Sequence, residues 1–141
     1  MADALTPLPE DALEAWAERV RANRAQAERV RIGEPPRDFY AAVASAFRAD
    51  PRRTDEPALD ALRALVRPGE TWLDIGAGGG RYALPLALLA GDVIALEPSD
   101  GMLAVLRDGM VETGIANIRI VQSLLPASQP PSADVALISH I

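Results

Sequence analysis

Apolar residues recur at Leu13, Trp16, Val20, Ala27 and Val30 within a stretch rich in Ala, Glu and Arg, and that spacing predicts one long amphipathic helix from about Pro9 to Arg31. Gly33 and the pair Pro35-Pro36 end it, since glycine suits the position past a helix and proline cannot continue one. Phe39, Tyr40, Val43 and Phe47 share one face of a second predicted helix, Arg37 to Ala49. Thr54 is placed to cap a third, with Pro57 in its first turn and Leu59, Leu62, Leu65 and Val66 inward. From Thr71 the pattern changes to strand, loop, helix: strand 71–75, helix about 80–89, strand 92–97, helix about 99–112, strand 118–121. Pro85 predicts an irregular first turn in the first of these helices; Ser99 caps the second and Gly114 ends it. Residues 122–132, with Pro126, Pro130 and Pro131, read as a loop, and 134–141 as a fourth strand.

Strands alternating with helices mean a parallel sheet with crossover connections. The fold class expected is therefore α/β, a Rossmann-like open parallel sheet with flanking helices, preceded by an amino-terminal helical segment. The division falls at residues 1–56 for the helical segment, a lid or cover, and 57–141 for the sheet domain. With 141 residues, 49% hydrophobic but only 4% aromatic, the core must rest on Leu, Val, Ile and Ala. The formal net charge of −6 argues against holding nucleic acid by phosphate neutralisation, which makes a nucleic-acid partner an unlikely one and a small-molecule acceptor the expectation. No cysteine and a single histidine leave no thiolate or histidine-rich metal site. The beginning lacks a basic segment followed by an apolar one and no apolar run reaches membrane-spanning length, so no membrane role and a cytoplasmic location are expected.

The chemistry concentrates in TWLDIGAGGGRYALPLALLAGDVIALEPSD, residues 71–100, where an apolar strand ends at Asp74, enters Gly76, Gly78, Gly79 and Gly80, and leads to a second strand ending at Glu97. A tight turn without ligand needs one glycine and explains neither four nor the strand-terminal acid. A dinucleotide site of G-x-G-x-x-G/A type fits Gly78, Gly80 and Ala83, but it would set Asp74 close to a doubly negative pyrophosphate. A nucleoside that bears an amino acid and no phosphate uses every part: Asp74 meets its ammonium group, and Glu97 accepts hydrogen bonds from both ribose hydroxyls.

Through WLDIGAGGGRYALPLA (72–87) and VIALEPSDGML (93–103) the chain resembles the class I S-adenosylmethionine-dependent methyltransferases over roughly residues 57–141. The resemblance implies that S-adenosyl-L-methionine is the cofactor. Asp74, Gly76, Ala77, Gly78 and Gly80 match the motif lining its methionine end, Glu97 the acid on the ribose, and Pro98, Ser99 and Met102 the surroundings of the adenine. The family's acid after the third strand is replaced by Gln122-Ser123-Leu124, leaving backbone around Ser123 and Leu124 to edge the adenine. Ser139 and His140 end the fourth strand, where the family places reaction-facing residues. His140 is the candidate catalytic residue, a general base. By the same resemblance Trp16, Phe39 and Tyr40 are candidates for the substrate side.

The family's sheet has seven strands and this chain accounts for about four, so the sequence reads as the truncated amino-terminal part of a methyltransferase, with an open sheet edge through which it could self-associate. The activity expected is methyl transfer from S-adenosylmethionine to an unidentified acceptor, with the activity of this fragment alone left open. The alternatives are an NAD(P)-dependent oxidoreductase of related topology, or a non-catalytic cofactor-binding or interaction fragment.

Overall fold

A computed structural model describes residues 10–34, 36–124 and 131–140, and the chain divides into two compact units, residues 1–36 and 37–141. The first unit holds α1, Glu10–Val30, the long helix that the apolar spacing predicts. Pro9 and Pro35 lie outside the described residues. The second unit holds every other element, including residues 37–56, which the sequence grouped with the helical segment.

The predicted helix over Arg37 to Ala49 does not form. In its place are bends and turns, then a short 3-10 turn, Ala44–Phe47. The reason lies at Asp38, whose carboxylate accepts from the amide of Tyr40 at 3.0 Å and so offers the backbone a local alternative to helical bonding. The next helix, α2, spans Pro57–Leu65 as expected, but its cap is Glu56 rather than Thr54. Asp55, at φ 62°, turns the chain between them, and the Thr54 hydroxyl donates to Asp55 instead.

The sheet is built from β1 (Thr71–Ile75), β2 (Asp92–Leu96), β3 (Ile118–Val121) and β4 (Val135–Ile138), all parallel and in the order β3-β2-β1-β4. Between them run α3 (Ala83–Ala87) and α4 (Asp100–Thr113). The first of these is shorter than predicted because Gly80 sits at φ 90°, outside any right-handed helix. Pro85 then falls in the first turn of α3, where its missing N–H has no intrahelical acceptor to lose. Ser99 caps α4 as predicted, its hydroxyl accepting from the Met102 amide at 3.1 Å, and Gly114 closes the helix at φ 69°. Of the predicted loop 122–132, residues 125–130 lie outside the described residues, as does Ile141.

Alternation along the strands divides the core in two. Trp72, Val93 and Ala95 face one side with Leu59, Leu84, Leu86, Leu103 and Leu106, while Leu73, Ile94 and Leu96 face the other. Apolar residues on both faces are what a parallel sheet requires, and they explain why β1 and β2 read as continuous apolar runs. With Ile75 registered against Leu96 and Ile138, the strands bring their carboxyl ends level at one edge of the sheet.

Candidate cofactor and acceptor site

The glycine loop leaves β1 by crossing to the end of β2: the amides of Gly76 and Ala77 both donate to the Leu96 carbonyl, at 2.8 and 3.1 Å. That crossing opens a cavity of about 670 Å³ beyond the carboxyl ends of the strands, a size and position suited to a nucleotide-like ligand. Eleven of the residues singled out in the sequence line it: Asp74, Gly76, Ala77, Gly78, Glu97, Pro98, Met102, Ser123, Leu124, Ser139 and His140. Gly80 and Ser99 are not on its wall. A Cβ on Gly80 would stand 2.6 Å from Leu106 Cδ1 and 2.9 Å from Leu84 Cγ, so that glycine serves the packing of the loop against α3 and α4. Ser99 serves as the cap of α4.

The two acids differ in how they are satisfied. Glu97, 6% exposed, bridges two loops: Oε2 accepts from the Gly78 amide at 2.9 Å and Oε1 from the Ser99 amide at 2.8 Å. Each oxygen keeps lone-pair capacity for a further donor, as a ribose diol requires. Asp74 is 2% exposed, and among the described residues its Oδ2 has no hydrogen-bond partner. Burial pushes this carboxyl up to about 7, the charge of Glu97 adds to the rise, and the backbone amide of Ala83 pulls the other way. A buried acceptor left unpaired is costly, and a residue that carries one on a cavity wall is a place for a donor from outside the chain. An ammonium group fits it. The donor set thus suits S-adenosylmethionine: an unpaired acid for the amino-acid end, a half-used acid for the ribose, and a glycine loop between them.

At the end of β3, the Gln122 side-chain amide donates to the Pro98 carbonyl (3.2 Å) and to Asp100 Oδ1 (2.7 Å), joining the strand ends where an acid was missed in the sequence. Ser139 and His140 lie across the cavity, and His140 stands at φ 57°, uncommon for a side chain with a Cβ. Its ring is nearly parallel to that of Tyr82, with centroids 6.3 Å apart. Tyr82 went unnoticed in the sequence, where it reads as an ordinary apolar helix position.

Phe47 and Arg48 also line the cavity, together with Tyr40, whose ring meets Phe47 edge to face at 5.9 Å. Phe39 is 73% exposed and does not line the cavity; Trp16 belongs to the other unit. Arg81 also reaches the wall, and its guanidinium donates to Glu56 at 2.9 Å. Glu56 receives Arg53 as well, at 2.6 Å, and the Arg53 bond with that of Arg81 holds its carboxyl down to about 2.

Residues 73–141 match the family described as "Methyltransferase domain". A 23S rRNA (uracil(1939)-C(5))-methyltransferase of Alkalilimnicola ehrlichii is 34% identical over 104 residues, which is 72% of this chain and 22% of that protein. A ribosomal RNA small subunit methyltransferase G of Neisseria gonorrhoeae is 32% identical over 95 residues, 64% of this chain and 46% of that protein. Among solved structures, the C-terminal domain of precorrin-6Y C5,15-methyltransferase from Rhodobacter capsulatus superposes with a TM-score of 0.53 at 27% identity, covering 65% of this chain and 53% of that one. The chain carries a class I S-adenosylmethionine-dependent methyltransferase domain, and it spans less than half the length of these two curated relatives.

The relatives overturn one expectation. Net charge led to a small-molecule acceptor and to nucleic acid as an unlikely partner, yet the similar enzymes are named for ribosomal RNA. The error is one of scale: a whole-chain sum says little about the local surface at which an acceptor is recognised. Among the described residues no helix is long and apolar enough to cross a membrane.

Proposed function

We propose that this protein transfers a methyl group from S-adenosylmethionine to a nucleobase of RNA. The observation that carries the cofactor side is that two buried acids, Asp74 and Glu97, line one cavity, with Oδ2 of Asp74 unpaired among the described residues. Bound S-adenosylmethionine supplies an electrophilic methyl on a sulfonium. The chain's own residues supply alignment and exclude water. Asp74 receives the ammonium group, Glu97 the ribose hydroxyls, and Gly76 and Gly78 take the positive φ (75° and 55°) by which the loop turns between them. Pro98 and Met102 flank the adenine, with the backbone at Ser123 and Leu124 on its edge. His140, steadied by the Tyr82 ring, is the group placed to take a proton from the acceptor as the new bond forms.

Two features favour an RNA base. The similar enzymes act on ribosomal RNA by name. The cavity wall also carries flat rings (Tyr40, Phe47, Tyr82, His140), a surface that suits an unstacked base. A cytoplasmic location accords with such an acceptor.

The test is transfer of tritium from labelled S-adenosylmethionine to total RNA, followed by digestion to nucleosides. The expected result is label in one kind of base. Protein that binds S-adenosylhomocysteine but labels a small-molecule extract while leaving RNA at background would refute the acceptor.

A further inference from the structure

Asp38 lies outside every motif, yet it makes more polar contacts than any other side chain of its segment. Its carboxylate accepts from the Ser99 hydroxyl at 2.8 and 3.0 Å, from the Gly101 amide at 2.9 Å and from the Tyr40 amide at 3.0 Å. The Gly101 amide, foremost among these, holds its carboxyl below the usual range. Close approach is built in as well: a Cβ on Gly101 would stand 2.8 Å from Ala41 Cα, so only glycine lets the segment settle on α4.

From Ser99 the bonds continue into the site. The Ser99 amide donates to Glu97 Oε1, and Glu97 Oε2 accepts from the Gly78 amide, forming one chain of contacts from Asp38 through Ser99 and Glu97 to the glycine loop. Direction matters in this chain. An ionised Asp38 only accepts, so the Ser99 hydroxyl donates to it and keeps its lone pairs for the Met102 amide at the start of α4. Ser99 is thereby held on both sides, and its amide stays aimed at Glu97. The far end of the same segment is pinned too: Arg53 donates to the Arg81 carbonyl at 2.8 Å and pairs with Glu56, which pairs with Arg81. Residues 38–56 thus contribute Tyr40, Phe47 and Arg48 to the cavity wall, with the segment tied to the start of α4 by Asp38 and to the glycine loop by Arg53 and Glu56.

We infer that Asp38 is a positioning residue of the cofactor site, holding Glu97 in its ribose-binding pose through Ser99 while it seats Tyr40 and Phe47 on the cavity wall. The inference rests on the reading of the cavity as an S-adenosylmethionine site. It makes Asp38 and Glu97 energetically one unit, and residues in one hydrogen-bond network show non-additive losses.

The experiment is a double-mutant cycle on S-adenosylhomocysteine affinity, measured by calorimetry with wild type, Asp38→Asn, Glu97→Gln and the double variant, each checked for folding by circular dichroism. Loss of one charged hydrogen bond weakens binding by about tenfold. Asp38→Asn is expected to show that loss in the wild-type background and less than about twofold when Glu97 is already Gln, because the pose it guards no longer matters. Losses that simply multiply would overturn the inference and leave Asp38 a structural tie. Should the Asn variant unfold, Ser99→Ala takes its place, since it breaks the same link and leaves Asp38 on Gly101. Wild type that fails to bind S-adenosylhomocysteine at all would instead sink the cofactor reading, an outcome distinct from multiplicative losses.

Discussion

Asp74 should make cofactor binding depend on pH. With its carboxyl raised from 3.8 to about 7, ionising it inside the fold costs on the order of 4 kcal/mol more than in the unfolded chain. The sign follows from which state holds the proton. Below pH 3.8 both states hold it; between 3.8 and about 7 the unfolded chain gives it up while the native one keeps it, so stability falls as pH rises, then levels off. A ligand's ammonium group reverses this balance by pairing with the carboxylate. Binding below pH 7 must therefore expel a proton, and affinity should rise about tenfold per pH unit up to pH 7 and flatten above.

The assay is calorimetric titration with S-adenosylhomocysteine at pH 5.5 to 8.5 in buffers of different ionisation enthalpy. At pH 6 close to one proton should be released per ligand bound, and at pH 8.5 close to none. Asp74→Asn should abolish the proton release and flatten the profile at the weak, low-pH affinity of wild type. It should also make the ligand-free protein more stable than wild type at pH 8, with little difference at pH 4. A wild-type affinity that is constant from pH 5.5 to 7, with no proton exchanged, would refute the pairing of Asp74 with an ammonium group.

Glu97→Ala should weaken S-adenosylhomocysteine by more than tenfold with secondary structure intact, because it removes the ribose acceptor and strands the Gly78 and Ser99 amides; unchanged affinity in calorimetry would remove Glu97 from the ribose. Gly80→Ala should lower stability by about 2–4 kcal/mol in urea unfolding, since its Cβ would enter Leu106 and Leu84 at a positive φ. A variant as stable as wild type would show that the loop relaxes freely. His140→Asn, chosen because Asn tolerates φ 57°, should slow methyl transfer to RNA by about a hundredfold or more and change S-adenosylhomocysteine affinity less than threefold. An undiminished rate would assign the proton to another group or to water.

The errors of the sequence reading have identifiable causes. Arg37 to Ala49 has helical spacing, but spacing does not register that Asp38 will find Ser99 and Gly101 more than sixty positions away. Gly80 was grouped with its neighbours as a ligand contact because the motif is contiguous; its reason for lacking a Cβ is Leu106 and Leu84, visible only once α3 and α4 are packed. Tyr82 sits unremarked within residues 72–87 and Phe47 on a predicted helix face, and nothing local marks a ring as facing a cavity. Net charge misled in a different way, since it averages over the surface on which recognition is local.

What the chain determines by itself is whatever depends on near neighbours. Short continuous apolar runs give β1 and β2, Ser99 and Gly114 bound α4, and the spacing of Asp74, the glycines and Glu97 places two acids at the ends of adjacent parallel strands. Caps, turns and strand-end acids act over a few residues, so they are readable in one dimension. The state of those acids is not. That Asp74 is buried with one oxygen unpaired among the described residues while Glu97 is tied to two amides depends on how the glycine loop, α3 and the end of β2 close around them, and on Asp38 reaching Ser99 from a distant segment. Desolvation and hydrogen-bond partners are properties of packed neighbours, and only the tertiary structure brings those neighbours together.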